Sequence, residues 1–122
     1  MSFSELLAMY AVRVAEAVQL IEEFLNGGGL QLLYNAAARL TELGSETHTA
    51  FAFHGQAILA VMSIDAGLRL RERAVEIEKR GLRMSDLEYL TDVKDVLERM
   101  VETIESGEYE RSYHQMIEKR EQ

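Results

Sequence analysis

The chain has no proline, no cysteine and no tryptophan, and only three histidines. Without cysteine there is no disulfide, no thiol nucleophile and no thiolate metal site. Nothing therefore argues for an oxidising compartment. Without proline no helix is forced to stop or kink at a given place. Positive charge is also scarce. Thirteen Lys and Arg against 21 Asp and Glu leave a formal net charge of −8. Binding along a phosphate backbone needs clustered cations, so direct nucleic-acid binding is not expected. An acidic surface favours solubility and a basic partner. The opening residues MSFSELLAMY carry no basic group ahead of their apolar residues. That predicts no secretory leader, and the expected location is cytoplasmic.

Long charge-free runs are nearly absent as well, with one exception. Thr47 to Ile64 (THTAFAFHGQAILAVMSI) is an 18-residue stretch without formal charge in a chain that is 28% charged. Such a segment has to be hidden from water. It just reaches the length of a membrane span, but two His, two Thr, Gln, Gly and Ser within it favour a buried helix of a soluble protein. No membrane partner is expected.

What the chain does have is helical periodicity almost throughout. It reads as one all-α domain, residues 1–122, with four main helices and a weaker fifth. Helix one covers about Ser4 to Leu25 and ends at Asn26-Gly27-Gly28-Gly29, residue types that tolerate a left-handed C-cap. Helix two, Leu30 to Leu43, is expected to stop at Gly44. Helix three then runs from Glu46 to Arg80, with Gly55 and Gly67 as places where it bends or splits. The alternation from Thr47 to Phe53 also fits a short strand, but nothing else in the chain would pair with one. Helix four opens on Ser85-Asp86-Leu87-Glu88, the pattern of a capping box. Its core face reads Leu90, Val93, Leu97, Met100 and Ile104. Ser106-Gly107 breaks it, and the tail 107–122 is a loosely packed helix showing Tyr109, Tyr113, Met116 and Ile117 on one side.

Three polar groups fall inside apolar arcs. Arg13 lies between Leu20 and the pair Leu6 and Phe24 on the wheel of helix one. Asp65 follows His54 by eleven residues, so the two share an azimuth on a continuous helix three, about 16 Å apart along it. An unpaired buried charge is costly, so the sharper expectation pairs Arg13 with Asp65, within the chain or across a dimer. The plainer one leaves Arg13 snorkelling and Asp65 in water. His54 reads as a hydrogen-bonded core residue, since no nucleophile accompanies it. His48 and His54 are six apart and cannot chelate together, whereas Glu110 and His114, four apart, can but make too few ligands for a site. The Gly27–Gly29 run lacks the Lys and Ser or Thr of a phosphate loop. The cations Arg69, Arg71 and Arg73 are interleaved with Glu72 and Glu76, as in ordinary helical ion pairs. No cofactor, metal or catalytic residue is predicted.

The uncharged segment is apolar all the way round, which marks a central helix. The few other helices of this short chain surround it only in part, so the bundle is expected to be completed by a second copy. Phe51, Phe53, Ile58, Met62, Tyr109 and Tyr113 are the expected interface residues. The leading functional expectation is a non-enzymatic homodimer acting through protein–protein contacts, as an adaptor, regulator or small chaperone. Two others stand beside it. One is an acidic inhibitor that fills the groove of a nucleic-acid-binding protein. The other is a small-ligand binder or enzyme with a pocket near His54, Asp65 and Tyr34.

Overall fold

The computed structural model describes residues 1–121 and, among them, holds only helices and turns. Five helices follow one another: α1 (Phe3–Leu25), α2 (Gln31–Phe53), α3 (Ala57–Arg80), α4 (Met84–Glu105) and α5 (Glu108–Glu121). The all-α bundle that periodicity predicts is the observed architecture. Its internal boundaries differ from the expected ones in one instructive place.

Gly44 does not stop helix two. α2 passes through it and continues to Phe53. The reason is packing against α3. A Cβ at Gly44 would sit 2.4 Å from Ile64 Cγ1 and 2.5 Å from the Ala60 carbonyl oxygen. Gly67 does the same from the other side, where a Cβ would lie 2.5 Å from Thr41 Cγ2 and 2.7 Å from the Ala37 carbonyl oxygen. A mid-helix glycine costs about 1 kcal/mol against alanine. Here it lets two backbones approach as closely as carbonyl contact. Ser63 uses that proximity, its hydroxyl donating to the Leu40 carbonyl at 2.6 Å. α2 and α3 therefore form the tightest helix pair of the bundle.

The chain turns at Gly55 instead, where φ is +70°, a conformation open to glycine. The Gln56 amide donates to the Phe51 carbonyl at 2.8 Å and closes the turn. The uncharged segment is thus not one central helix. Thr47–Phe53 finishes α2 and Ala57–Ile64 begins α3, so its burial is shared between two helices that pack on each other. No strand forms over Thr47–Phe53.

α1 lies against both α2 and α4. It supplies ten of the buried residues, among them Leu6, Tyr10, Val14 and Ile21. Tyr10 is fully buried with its ring edge-on to Phe51 at 5.2 Å. Burial pushes its phenol well above the ordinary tyrosine value. The neutral hydroxyl donates to the Leu59 carbonyl at 2.7 Å, joining α1 to the start of α3. Around the bundle the order is α3, α2, α1, α4, and α3 meets α4 only sparsely although the two are joined by a short turn.

That turn is clamped by Asp86. The expected cap at Ser85 moves two residues back, to Arg83. Asp86, fully buried, accepts the Arg83 amide at 2.9 Å, two bonds from Arg80 at 2.8 and 2.9 Å, and one from Arg73 at 3.1 Å. Arg73 in turn lies 4.1 Å above the Tyr89 ring. On the α4 core face Leu90, Leu97, Val101 and Ile104 are buried as a seam, while Val93 and Met100 stay half-exposed on the α3 side. Among the residues whose burial is described, α5 contributes no fully buried one. It rests on the bundle through the Tyr113 ring, 4.2 Å from Phe3, and the Tyr109 hydroxyl, which donates to Gln56.

Candidate functional site

Because α3 and α4 diverge beyond their clamped turn, a trough of about 460 Å³ opens between them. Its floor and walls are apolar: Met62 and Ala66 from α3, Tyr89, Val93, Val96, Leu97 and Met100 from α4. Asp65 and Arg69 form the α3 lip and Asp92 lies on the α4 lip. Several of these apolar side chains are well exposed for their type, Met62 at 44% and Val96 at 55%, and Ile58 at 57% extends the strip along α3. The Arg73–Tyr89 stack and the Asp86 clamp close the end nearest the turn. Elsewhere nothing among the described residues fills the seam.

The expected site residues are distributed rather than gathered. Phe51 is a core residue, fully buried under Tyr10, and so is not at an interface. Phe53 is 85% exposed, because it sits on the outer side of the last turn of α2. Ile58 and Met62 are exposed on α3, and Tyr109 and Tyr113 are half-buried under α5. Arg13 is half-buried and pairs with Glu46 of α2, not with Asp65. Asp65 is exposed and pairs with its own neighbour Arg69 at 2.9 Å. The Arg13–Asp65 pair is therefore not formed within the chain. The turn at Gly55 destroys the continuous azimuth that would have aligned Asp65 with His54.

His54 caps the end of α2, its ring 5.2 Å from Phe3 and 5.3 Å from Phe53. Tyr34 stands at the opposite end of α2, about 30 Å away along the helix, where its hydroxyl donates to Glu78 at 2.6 Å. His54, Asp65 and Tyr34 thus do not line one pocket. Glu110 and His114 do approach, at 3.6 Å, on the exposed side of α5. Among the described residues no three His, Asp or Glu groups come together as a metal site would require. No helix among them is long and apolar enough to cross a membrane.

Sequence reasoning missed Val96 and put Val93 and Met100 in the core. A signal was present. Val96 stands three residues from Val93 and four from Met100, so it widens the apolar stripe of α4 beyond what a single packed seam needs. Comparison with protein-family models, with curated proteins and with solved structures gives no match.

Proposed function

We propose that this chain is a non-enzymatic helical protein that acts through protein–protein contact, as an adaptor, regulator or small chaperone, with the α3–α4 groove as its contact surface. One observation carries the reading: Met62, Val93, Val96 and Met100 line an open seam between two long helices. A contiguous exposed apolar patch of this kind marks a binding surface more often than chance. A trough between two helices suits the apolar face of a third. Methionine on both walls lets the surface adapt to its occupant. A small-molecule site would instead gather convergent polar groups at its base. Here the polar groups are confined to the lips.

The chain lacks cysteine, so Val96→Cys makes a unique thiol. In an extract of the native host, alkylation of that thiol is expected to be at least about tenfold slower than in the dilute purified protein. A cysteine at exposed Gln19, on α1, is expected to react alike in both. Rates at position 96 that in both settings equal those of the exposed position 19 thiol would remove the groove from consideration.

A second reading, the acidic inhibitor, has one observation in its favour. The outer face of α4 exposes Glu88, Asp92, Glu102 and Glu105, with Arg99 as the exposed base among them. The two readings separate by salt. Docking of an apolar helix persists at about 1 M salt, whereas a charge-driven complex dissociates.

A further inference from the structure

We infer that the occupant of the α3–α4 groove is a second copy of this chain, related by a twofold axis that crosses α3 and α4 at the level of Gly67 and Val96. The inference rests on the groove reading and adds the partner. It follows from the order of charges on the two helices. Along α3 the lip reads Asp65 then Arg69; on α4 Asp92 and Val96 line the trough and Arg99, one turn further on, is exposed beside it. Asp92 and Arg99 are seven residues apart, hence on one side of α4. Each helix therefore carries an exposed acid and base about a turn or two apart.

A twofold axis perpendicular to a helix sets that helix antiparallel to its own copy. Such an arrangement places Asp92 against Arg99 of the partner subunit, Val96 against Val96 of the partner subunit, and Asp65 against Arg69 of the partner subunit. Every charged pair then occurs twice with opposite signs facing, as a self-complementary surface requires. One axis must serve both helices, and the geometry allows it. The midpoint of Asp65 and Arg69 lies 13 residues before the end of α3 at Arg80, and that of Asp92 and Arg99 lies between 11 and 12 residues after the start of α4 at Met84. Counted along each helix, the two midpoints therefore lie at similar distances from the α3–α4 turn.

The size of the face agrees. Helices of 24 and 22 residues side by side present a surface about 35 Å long and about 20 Å across. That is roughly 700 Å², close to the 800 Å² or so per partner buried in stable complexes. At its centre lie Met62, Val93, Val96 and Met100, and the charges lie towards the edge. An apolar centre inside a polar rim is the usual anatomy of a protein interface. The exposed acids Glu102 and Glu105 sit further round α4 from the groove residues, while Glu88 shares the side of Asp92.

Solution mass tests this directly. The purified chain at micromolar concentration is expected at about twice 13.9 kDa. Val96→Glu is expected at the single-chain mass, with its helical circular dichroism unchanged. Asp92→Arg and Arg99→Glu alone should each weaken the dimer about tenfold, since two exposed pairs become repulsive. The double swap Asp92→Arg with Arg99→Glu should return to within about twofold of the unmodified chain, because the surface is again self-complementary. A single-chain mass up to about 100 μM, a dimer indifferent to Val96→Glu, or a double swap no tighter than either single change would each overturn the inference. If the purified chain is monomeric while Val96→Cys is protected in host extract, the groove reading stands with another occupant. If neither is seen, both fall.

Discussion

Gly67→Ala is expected to lower the unfolding free energy by about 2–3 kcal/mol, an overpacking cost, and the melting temperature by about 10 °C. The added methyl meets Thr41 Cγ2 at 2.5 Å and the Ala37 carbonyl oxygen at 2.7 Å. The threonine methyl can rotate away. The carbonyl belongs to the α2 backbone and cannot move unless the helices separate. Separation weakens the Ser63–Leu40 hydrogen bond of 2.6 Å and loosens contacts around Ala60 and Gly44. Alanine's better helix propensity returns about 1 kcal/mol, which is included in the figure given. Gly44→Ala meets the Ala60 carbonyl oxygen at 2.5 Å and should behave alike. Gly29 provides the control, because a Cβ there touches nothing within 4 Å. Gly29→Ala should be neutral or slightly stabilising. Thermal melts of the three variants check the account. An unchanged or raised melting temperature for Gly67→Ala would mean that the α2–α3 contact is looser than described.

Asp86→Asn is the second large effect, expected to cost about 2–4 kcal/mol at neutral pH. The carboxylate is fully buried and holds Arg80, Arg73 and the Arg83 amide at once. Removing its charge leaves two guanidinium groups facing a neutral amide. Both are about a quarter exposed, so water relieves part of the loss and the cost stays below that of a wholly buried pair. The hydrogen bonds from Arg80, with help from Arg83 and Arg73, hold the Asp86 carboxyl well below the usual carboxylate range. A folded value below the unfolded one stabilises the fold at any pH above the unfolded value, about 3.9. That contribution fades as pH falls through the unfolded value towards the folded one. The parent protein should therefore lose stability steadily below about pH 5, and Asp86→Asn should show a flatter acid limb from a lower starting point. Urea unfolding at neutral pH and at pH 3 measures both parts. Equal stabilities at neutral pH would contradict the clamp.

How much of this was legible in the sequence depended on the kind of signal. Apolar spacing located all five helices, since burial of one face is what the spacing records. It also found the Leu90, Leu97 and Ile104 seam. Glycine was misread at Gly44, because in one dimension a packing glycine and a stop glycine look alike. Only the approach of Ala60 and Ile64 from α3 tells them apart. Gly55, read as a place for a bend or split, is where the chain turns. The difference moved the boundary between the second and third helices by more than ten residues, and with it the meaning of the uncharged stretch. That stretch resembled a helix needing cover on every side. Split at Gly55, it is two helix ends that cover each other, and the surplus apolar surface shifts to Ile58, Met62 and the α4 flank.

The groove itself was not readable, for a related reason. Val93 and Met100 have the spacing of core residues, and Val96 looks like one apolar residue among charges. Their exposure depends on the distance between α3 and α4, a tertiary quantity. Asp86 was read as part of a cap at Ser85. Its role as a buried hub required knowing that Arg73 and Arg80 reach it from the preceding helix.

The central claim is that the α3–α4 groove is the working surface and is covered by a second copy. A photoreactive phenylalanine analogue at position 96, compared with the same group at exposed position 19, tests it most directly in the native host. The account predicts an adduct from position 96 of about twice 13.9 kDa containing only this chain, and none from position 19. No adduct from position 96 above the level at position 19 would contradict it.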